Sequence, residues 1–228
     1  MRREKVIDLS QSQPFASGGN RHCYRHPQYP DRCIKVMLPG RIMQLRKRAP
    51  WYKAFFSDDQ FDDNVREIEG YRQAALENVP TNSPVWQHLP RWYGTEETTD
   101  GTGTVSELIL DRDGNPAITL EHYLQEHGLD ESIQRALDRF AQWLRSTRVM
   151  TKNILPHNLV IRESQGLPQL VLIDGLGRGA FLPSAVLFDR SGARYIERRI
   201  QRMWARVEWE VSDRSLTWKQ AEKLSRRR

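Results

Sequence analysis

Lys35, Asn158 and Asp174 are the residues of this chain whose types and settings point most directly to chemistry, and that chemistry is the handling of a metal-bound polyphosphate. Lys35 sits in the apolar run Arg32-Cys-Ile-Lys-Val-Met37. Asn158 ends Pro156-His-Asn158, just ahead of Leu159-Val-Ile161. Asp174 closes Leu170-Val-Leu-Ile-Asp174 and is followed by Gly175-Leu-Gly177. A phosphoryl group moves through a transition state that calls mainly for positioning and charge neutralisation. A cation on the phosphates, a carboxylate and a second oxygen ligand for a hard ion such as Mg²⁺ meet that need. Lys35 can supply the cation, Asp174 the carboxylate and Asn158 the amide oxygen. The last two flank two apolar runs that read as one hairpin, and a hairpin brings its ends together, so both can serve one ion.

Strand alternation turns Lys35 to the face opposite Ile34 and Val36. A lysine so placed needs a partner or a water-lined cleft. Glu67 is the expected partner, since it shares a helical face with Tyr71 four residues later. Glu69 is the competitor, but its neighbour four residues on is Gln73, which fits an exposed face. Gly18 and Gly19 fall in a turn where backbone N–H groups can approach phosphate. Glu107 and Ile109, in a strand expected over Gly101–Leu110, complete the expected nucleotide contacts. Each of these signals has an ordinary structural reading as an edge lysine, a strand-end turn or a hairpin tip; their joint order carries the inference.

The elements around these residues read as follows. Residues 1–38 alternate short strands with turns at Gln13–Asn20 and Pro27–Asp31, an antiparallel meander. Residues 39–60 are expected to be an irregular insertion that mixes Arg41, Arg46, Lys47, Arg48 and Lys53 with Trp51, Tyr52, Phe55 and Phe56. Such a mixture can stack on bases or pack on its own lobe. Asp62, Asp63 and Asn64 open a helix that should run to about Glu77, with Val65, Ile68, Tyr71, Ala74 and Ala75 at helical spacing. Strands are expected at Trp92–Gly94 and Gly101–Leu110, and a short helix at Thr119–Gln125. Asp130 caps the clearest helix, which runs to about Arg148 with Ile133, Leu137, Phe140, Ala141 and Leu144 on one face. A last helix places Ile196, Ile200, Met203, Trp204 and Val207 at helical spacing.

At 228 residues the chain fits one domain, with room for two lobes, and its seven tryptophans support a substantial core. The absence of an apolar run near ~20 residues, or of a secretory leader, argues for a cytoplasmic protein without a transmembrane segment. Two cysteines, Cys23 and Cys33, are too few for a disulfide framework or a zinc site, and read as buried free thiols in one hairpin. The net charge of +6 is concentrated at the C-terminal end, where residues 190–228 hold 12 Lys/Arg against 5 Asp/Glu. A basic region of this kind can bind nucleic acid or anionic lipid, but no base-reading motif accompanies it. A solvated helix face is the plainer reading, and nucleic acid is not the expected partner.

The strings Asn20-Arg-His-Cys-Tyr-Arg-His-Pro27, Arg32-Cys-Ile-Lys-Val36 and Arg66-Glu67 to Tyr71, with Thr102-Gly-Thr104, Thr119-Leu120 and the Pro156-x-Asn158 loop, resemble the PhoP regulatory network protein YrbL family over residues 10–180. More remotely the chain resembles the protein-kinase-like fold. That resemblance implies an α+β, bilobal chain spanning 1–228, with a small antiparallel sheet lobe over about 1–110, insertion 39–60 included. A reduced, mainly helical lobe with the basic C-terminal helix follows over about 111–228. It implies Lys35 on the phosphates of ATP, Glu67 as its partner, and Asn158 and Asp174 as Mg²⁺ ligands. The resemblance to the YrbL family also implies a bacterial stress-response setting.

The departures from the kinase pattern bear on activity. The loop His-Arg-Asp-Leu-x-x-x-Asn of kinases aligns on Thr151-Lys-Asn153-Ile-Leu-Pro-His-Asn158, so Asn153 stands where a carboxylate accepts the hydroxyl proton. An amide can orient a nucleophile there but cannot act as that base. Asp174-Gly-Leu-Gly replaces Asp-Phe-Gly, and 54 residues follow Asp174 without an Ala-Pro-Glu string. The catalytic positions are therefore Asn153 and Asp174. Three readings stand, the first two being a Mg-ATP-dependent phosphotransferase acting on an unidentified acceptor and an impaired pseudokinase that binds nucleotide and regulates a partner protein. Nucleic-acid binding through the C-terminal region is the third.

Overall fold

The computed structural model describes residues 6–51, 56–177 and 189–225, and these divide between two compact units. The first comprises residues 1–72 and 90–108, the second 73–89 and 109–228.

The first unit is built on a five-stranded antiparallel sheet. Its strands are β1 (Ala16–Ser17), β2 (Arg21–Arg25), β3 (Arg32–Met37), β4 (Trp92–Thr98) and β5 (Gly101–Glu107), in the spatial order β1-β2-β3-β5-β4. The meander expected from the turns at 13–20 and 27–31 is present as β1–β3. Register fixes the two faces of the sheet. Tyr24 lies opposite Ile34, and Ile34 opposite Val105. With Val36 they form an apolar face closed by Ile7, Leu9 and Tyr93. Ile7 is held there by two backbone hydrogen bonds, to the Glu97 carbonyl at 2.8 Å and from the Thr99 N–H at 2.9 Å. Cys23 lies opposite Lys35, and Lys35 opposite Thr104, so the other face is polar. Helix α2 (Asp63–Tyr71) faces that polar side through Asn64 and Glu67, and Asp62 caps it by accepting from the Asn64 N–H.

Two expectations for this unit are corrected. Residues 39–60 are not irregular throughout: Arg41–Arg48 form helix α1, which buries no residue, and Asp58–Gln60 form a single helical turn. Ile42, Leu45 and Ala49 give α1 one half-buried stripe, too short and too crowded by basic residues to read as periodic. Arg46 pairs with Asp58 at 2.8 Å, and Trp51 is exposed. Tyr52, Lys53 and Phe55 lie outside the described residues. Helix α2 also stops at Tyr71 rather than near Glu77. Arg72 is its C-cap, and Gln73 already belongs to the second unit, where its buried side chain accepts from the Met150 N–H at 2.6 Å and donates to the Met150 carbonyl at 3.3 Å. That amide bond to the backbone outcompetes continuation of the helix, so Ala74 and Ala75 fall in turns.

The second unit packs helices α3 (Leu120–His127), α4 (Glu131–Thr147), α5 (Asp189–Glu210) and α6 (Trp218–Ser225) with the hairpin β6 (Leu159–Ser164) and β7 (Leu167–Leu172). Asp130 caps α4 by accepting from the Ile133 N–H at 2.9 Å. Its carboxyl is held down at about 2 by hydrogen bonds from the Tyr123 hydroxyl, the Ser132 hydroxyl and that N–H. Ile133, Leu137, Phe140, Ala141 and Leu144 are all buried, as their spacing predicts, and Ala136 and Trp143 join them. Each large apolar side chain fully buried in this way contributes about 1.5–3 kcal/mol. The same holds for Ile196, Ile200, Met203 and Val207 on α5, whereas Trp204 is only half-buried. No helix among the described residues is long and apolar enough to cross a membrane.

Candidate nucleotide site

On the polar face of the first sheet, the Lys35 ammonium meets Glu67 Oε1 at 2.6 Å, with both side chains about 6–7% exposed. Glu67 is therefore the partner, and Glu69 is exposed. The same carboxylate accepts from Arg21 on β2, and from the Thr104 hydroxyl at 3.1 Å. Asn64 completes the cluster: its Oδ1 accepts from Arg21 at 3.2 Å and its Nδ2 donates to the Thr102 carbonyl at 3.0 Å. A buried carboxylate is tolerated when it is paired and its lone pairs are satisfied. Glu67 meets that condition with partners from β2, β3 and β5.

Arg21, Asn64 and Thr104 are not among the site residues expected from sequence. The signal for Arg21 lies in the alternation Arg21, Cys23, Arg25, which puts polar groups on the same face as Lys35 once the register is known. Gly18 and Gly19 lie in the β1–β2 turn, where the Gly18 N–H is used on the Arg21 carbonyl at 2.9 Å. Glu107 accepts from the Arg91 N–H at 3.0 Å through its side chain. The buried Ile109 accepts from the Ala117 N–H at 2.9 Å through its carbonyl.

In the second unit the hairpin does what its sequence predicts. Leu159 lies opposite Leu172, and the Ile173 N–H reaches the Asn158 carbonyl at 2.9 Å, which brings Asn158 and Asp174 to the same hairpin end. Asn158 is buried and its Nδ2 donates to the Asn153 carbonyl at 3.2 Å. With the nitrogen so used, the amide oxygen is the atom left for a cation. Asp174 is exposed, and one carboxylate oxygen accepts from the Gly175 N–H at 2.7 Å. A carboxylate and an amide oxygen are hard donors of the kind Mg²⁺ takes, usually alongside phosphate oxygens and water. The donor set thus fits Mg²⁺ bound with a nucleotide. Among the described residues no group of three or more His, Cys, Asp or Glu forms a self-sufficient metal cage.

The loop carrying Asn153 is pinned to the segment that follows Asp174. Lys152 N–H donates to the Gly175 carbonyl at 2.7 Å and Gly177 N–H to the Met150 carbonyl at 2.9 Å. Gly175 has φ +83°, and a Cβ there would collide with the Asn153 carbonyl oxygen, so only glycine fits. Helix α5 grips the same loop from another direction: the Tyr195 hydroxyl donates to the Thr151 carbonyl at 2.9 Å, and Arg202 Nη1 lies 3.4 Å from Asn153 Oδ1. Arg202 is itself anchored to Glu222 of α6 at 2.7 Å. One turn further along α5, Arg206 reaches Glu121 of α3 and Glu210, and its guanidinium lies over Trp209. Arg202, Tyr195 and Gln73 are site-organising residues that periodicity does not reveal, because their partners are distant in sequence.

A five-stranded antiparallel sheet with a strand lysine paired to a helix glutamate, and a unit carrying the Asn and Asp of a loop–hairpin motif, define a protein-kinase-like fold. The kinase domain of Mycobacterium tuberculosis PknI matches with a TM-score of 0.50 over 90% of this chain and 76% of that one, at 12% identity. A double mutant of the same kinase domain matches with a TM-score of 0.51 over 90% and 75%, also at 12% identity. The profile of the family described as PhoP regulatory network protein YrbL matches residues 7–208, and the chain belongs to that family. Among its relatives, the uncharacterized protein YrbL of Escherichia coli K12 and that of Shigella flexneri are each 29% identical over 187 residues, 79% of this chain and 78% of theirs.

Proposed function

We propose that this protein binds a Mg²⁺–nucleoside triphosphate, with ATP as the nucleotide, and that it acts as a nucleotide-binding regulatory module more than as a phosphotransferase. The observation that carries the binding reading is the buried Lys35–Glu67 pair, fixed by Arg21, Thr104 and Asn64. Already ordered by its ion pair with Glu67, Lys35 presents its ammonium to phosphate oxygens at little further entropic cost. Asn158 contributes its amide oxygen and Asp174 its carboxylate to the metal. Mg²⁺, when bound, neutralises charge on the phosphates and orients them.

The observation that favours regulation over transfer is the pairing of Asn153 with Arg202. A neutral amide that accepts from a guanidinium has neither the charge nor the basicity to take a hydroxyl proton. The basic C-terminal region gives the nucleic-acid reading little support, since Arg199, Arg202 and Arg206 of α5 are engaged within the second unit.

Thermal shift with ATP, with and without Mg²⁺, tests the binding reading. Stabilisation of the wild-type chain should require Mg²⁺ and disappear in Asp174→Ala; a Mg²⁺-dependent shift that survives in Asp174→Ala would refute the metal assignment. Labelled γ-phosphate appearing on protein, sugar or lipid would restore the phosphotransferase reading.

A further inference from the structure

The chain has two cysteines, and both lie on the sheet face that carries the Lys35–Glu67 pair. Cys23 of β2 stands directly opposite Lys35 of β3, and Cys33 precedes Lys35 by two residues, so strand alternation puts all three side chains on one face. The two thiols occupy diagonal positions across adjacent strands on that face. Cys33 is buried, whereas Cys23 is partly accessible. Lys35 and Arg21, the two cations that share Glu67, flank them.

We propose that Cys23 and Cys33 form a reversible dithiol–disulfide pair, with Cys23 as the attacking thiolate and Cys33 as the resolving thiol, and that its oxidation weakens nucleotide binding at Lys35. The asymmetry between the two thiols supports the division of roles. The neighbouring Cys33 thiol holds the Cys23 pKa down to about 7; burial opposes this, and the Lys35 and Arg21 cations reinforce it. The nearby Cys23 thiol, together with burial, pushes the Cys33 thiol up. The thiolate is the nucleophilic form, and a thiolate next to cations on a partly accessible strand is the susceptible one.

With hydrogen peroxide as the oxidant, the Cys23 thiolate attacks one peroxide oxygen and the O–O bond breaks. This gives a sulfenic acid and hydroxide, which takes up a proton to leave as water. Cys33 sulfur then attacks Cys23 sulfur, the S–O bond breaks, and hydroxide leaves as a second water with the Cys33 proton. Two thiols and one peroxide thus become one disulfide and two waters. Diagonal cross-strand positions are about 7–8 Å apart at Cα, beyond the ~4.4–6.8 Å span of a relaxed disulfide. Since β2 and β3 already lie at hydrogen-bonded spacing, closing the bond slides β2 along β3 at the level of Lys35, the residue opposite Cys23. That displacement reaches Arg21 and Glu67 through the strand that carries Arg21. The consequence for nucleotide rests on the function proposed above; the pairing of the thiols does not.

The test treats the full-length chain with hydrogen peroxide, unfolds it, alkylates free thiols and measures intact mass. Wild type is expected to lose both alkylatable thiols, fall in mass by two hydrogens, remain monomeric on a non-reducing gel, and recover both thiols with dithiothreitol. Cys33→Ser should instead gain oxygen at Cys23, and Cys23→Ser should keep an unreacted Cys33. Two alkylated thiols in treated wild type, disulfide-linked dimers alone, or oxygen adducts on wild-type Cys23 without a disulfide would each overturn the pairing. Oxidised and reduced chains are then compared by thermal shift with Mg-ATP, and the oxidised form should lose most of the shift. Equal shifts in the two forms would overturn the coupling. Absence of a shift in both forms, with the disulfide formed, would count against nucleotide binding while leaving the redox pair standing.

Discussion

Arg202 Nη1 lies 3.4 Å from Asn153 Oδ1, while the Nε of the same guanidinium is 2.7 Å from Glu222. The residue at the catalytic-base position is thereby joined through α5 to the C-terminal helix α6. Tyr195, two turns earlier on α5, fixes the start of the same loop through the Thr151 carbonyl. An amide at 153 satisfies Arg202 as a neutral acceptor.

Asn153→Asp should convert this contact into a charge-assisted hydrogen bond and stabilise the chain by about 1 kcal/mol, read from urea unfolding. It should not by itself raise ATP turnover, because Arg202 occupies the new carboxylate. The double variant Asn153→Asp with Arg202→Gln is the one in which a carboxylate becomes able to accept a proton. A rise in turnover from Asn153→Asp alone would show that Arg202 does not restrain position 153.

Glu67→Ala leaves Arg21 and Lys35 buried side by side without their shared carboxylate, a loss of about 3–5 kcal/mol. Lys35→Met leaves Glu67 with Arg21 and Thr104, and should cost markedly less while removing the nucleotide-dependent thermal shift. Denaturant midpoints of the two variants check the order; equal losses would mean that Arg21 does not support Glu67.

At the hairpin end, stability and binding should separate. Gly175→Ala drives a Cβ into the Asn153 carbonyl oxygen at φ +83°, which should destabilise by roughly 2 kcal/mol or more. Asp174→Asn, at an exposed position, should change stability by less than about 0.5 kcal/mol yet abolish the Mg²⁺-dependent shift. Chemical denaturation and thermal shift on both variants test this.

His88 supplies a pH signature. It is buried against Phe140 and Trp143 and donates to the Leu170 carbonyl at 2.6 Å. Burial lowers its pKa from 6.5 to about 4. The unfolded chain therefore binds a proton at this position that the folded chain does not, and stability falls as pH drops from about 6.5 to about 4. The full effect of this one group is about 3 kcal/mol. Unfolding of His88→Gln between pH 7 and pH 4, against wild type, should show a shallower loss; an identical pH slope would remove His88 from the acid response.

The sequence alone determined those features that depend on local periodicity and chain order. Asp130 followed by Ile133, Leu137, Phe140, Ala141 and Leu144 specifies α4, because helical spacing and a side-chain cap act over a few residues. The apolar runs after Asn158 and before Asp174, joined by a turn at Gly166, specify a hairpin and hence the shared end of those two residues. Lys35 between Ile34 and Val36 specifies a lysine turned away from the apolar face; the choice of Glu67 over Glu69 rests on Tyr71 and Gln73, although Gln73 proves buried beyond the end of the helix.

Only the tertiary structure decided what depends on register and on partners far along the chain. Arg21 shares Glu67 with Lys35 because β2 pairs with β3 in one register, and a slip of one residue would turn it to the other face. Gln73 leaves the expected helix because its amide finds the backbone of Met150, 77 residues away. Asn153 reads in sequence as a damaged base; in the fold its oxygen faces Arg202, 49 residues on. Local pattern fixes an element's type because its energy is local, whereas a buried polar group takes whichever partner the assembled fold brings within hydrogen-bonding distance, since leaving it without one costs about 1–3 kcal/mol.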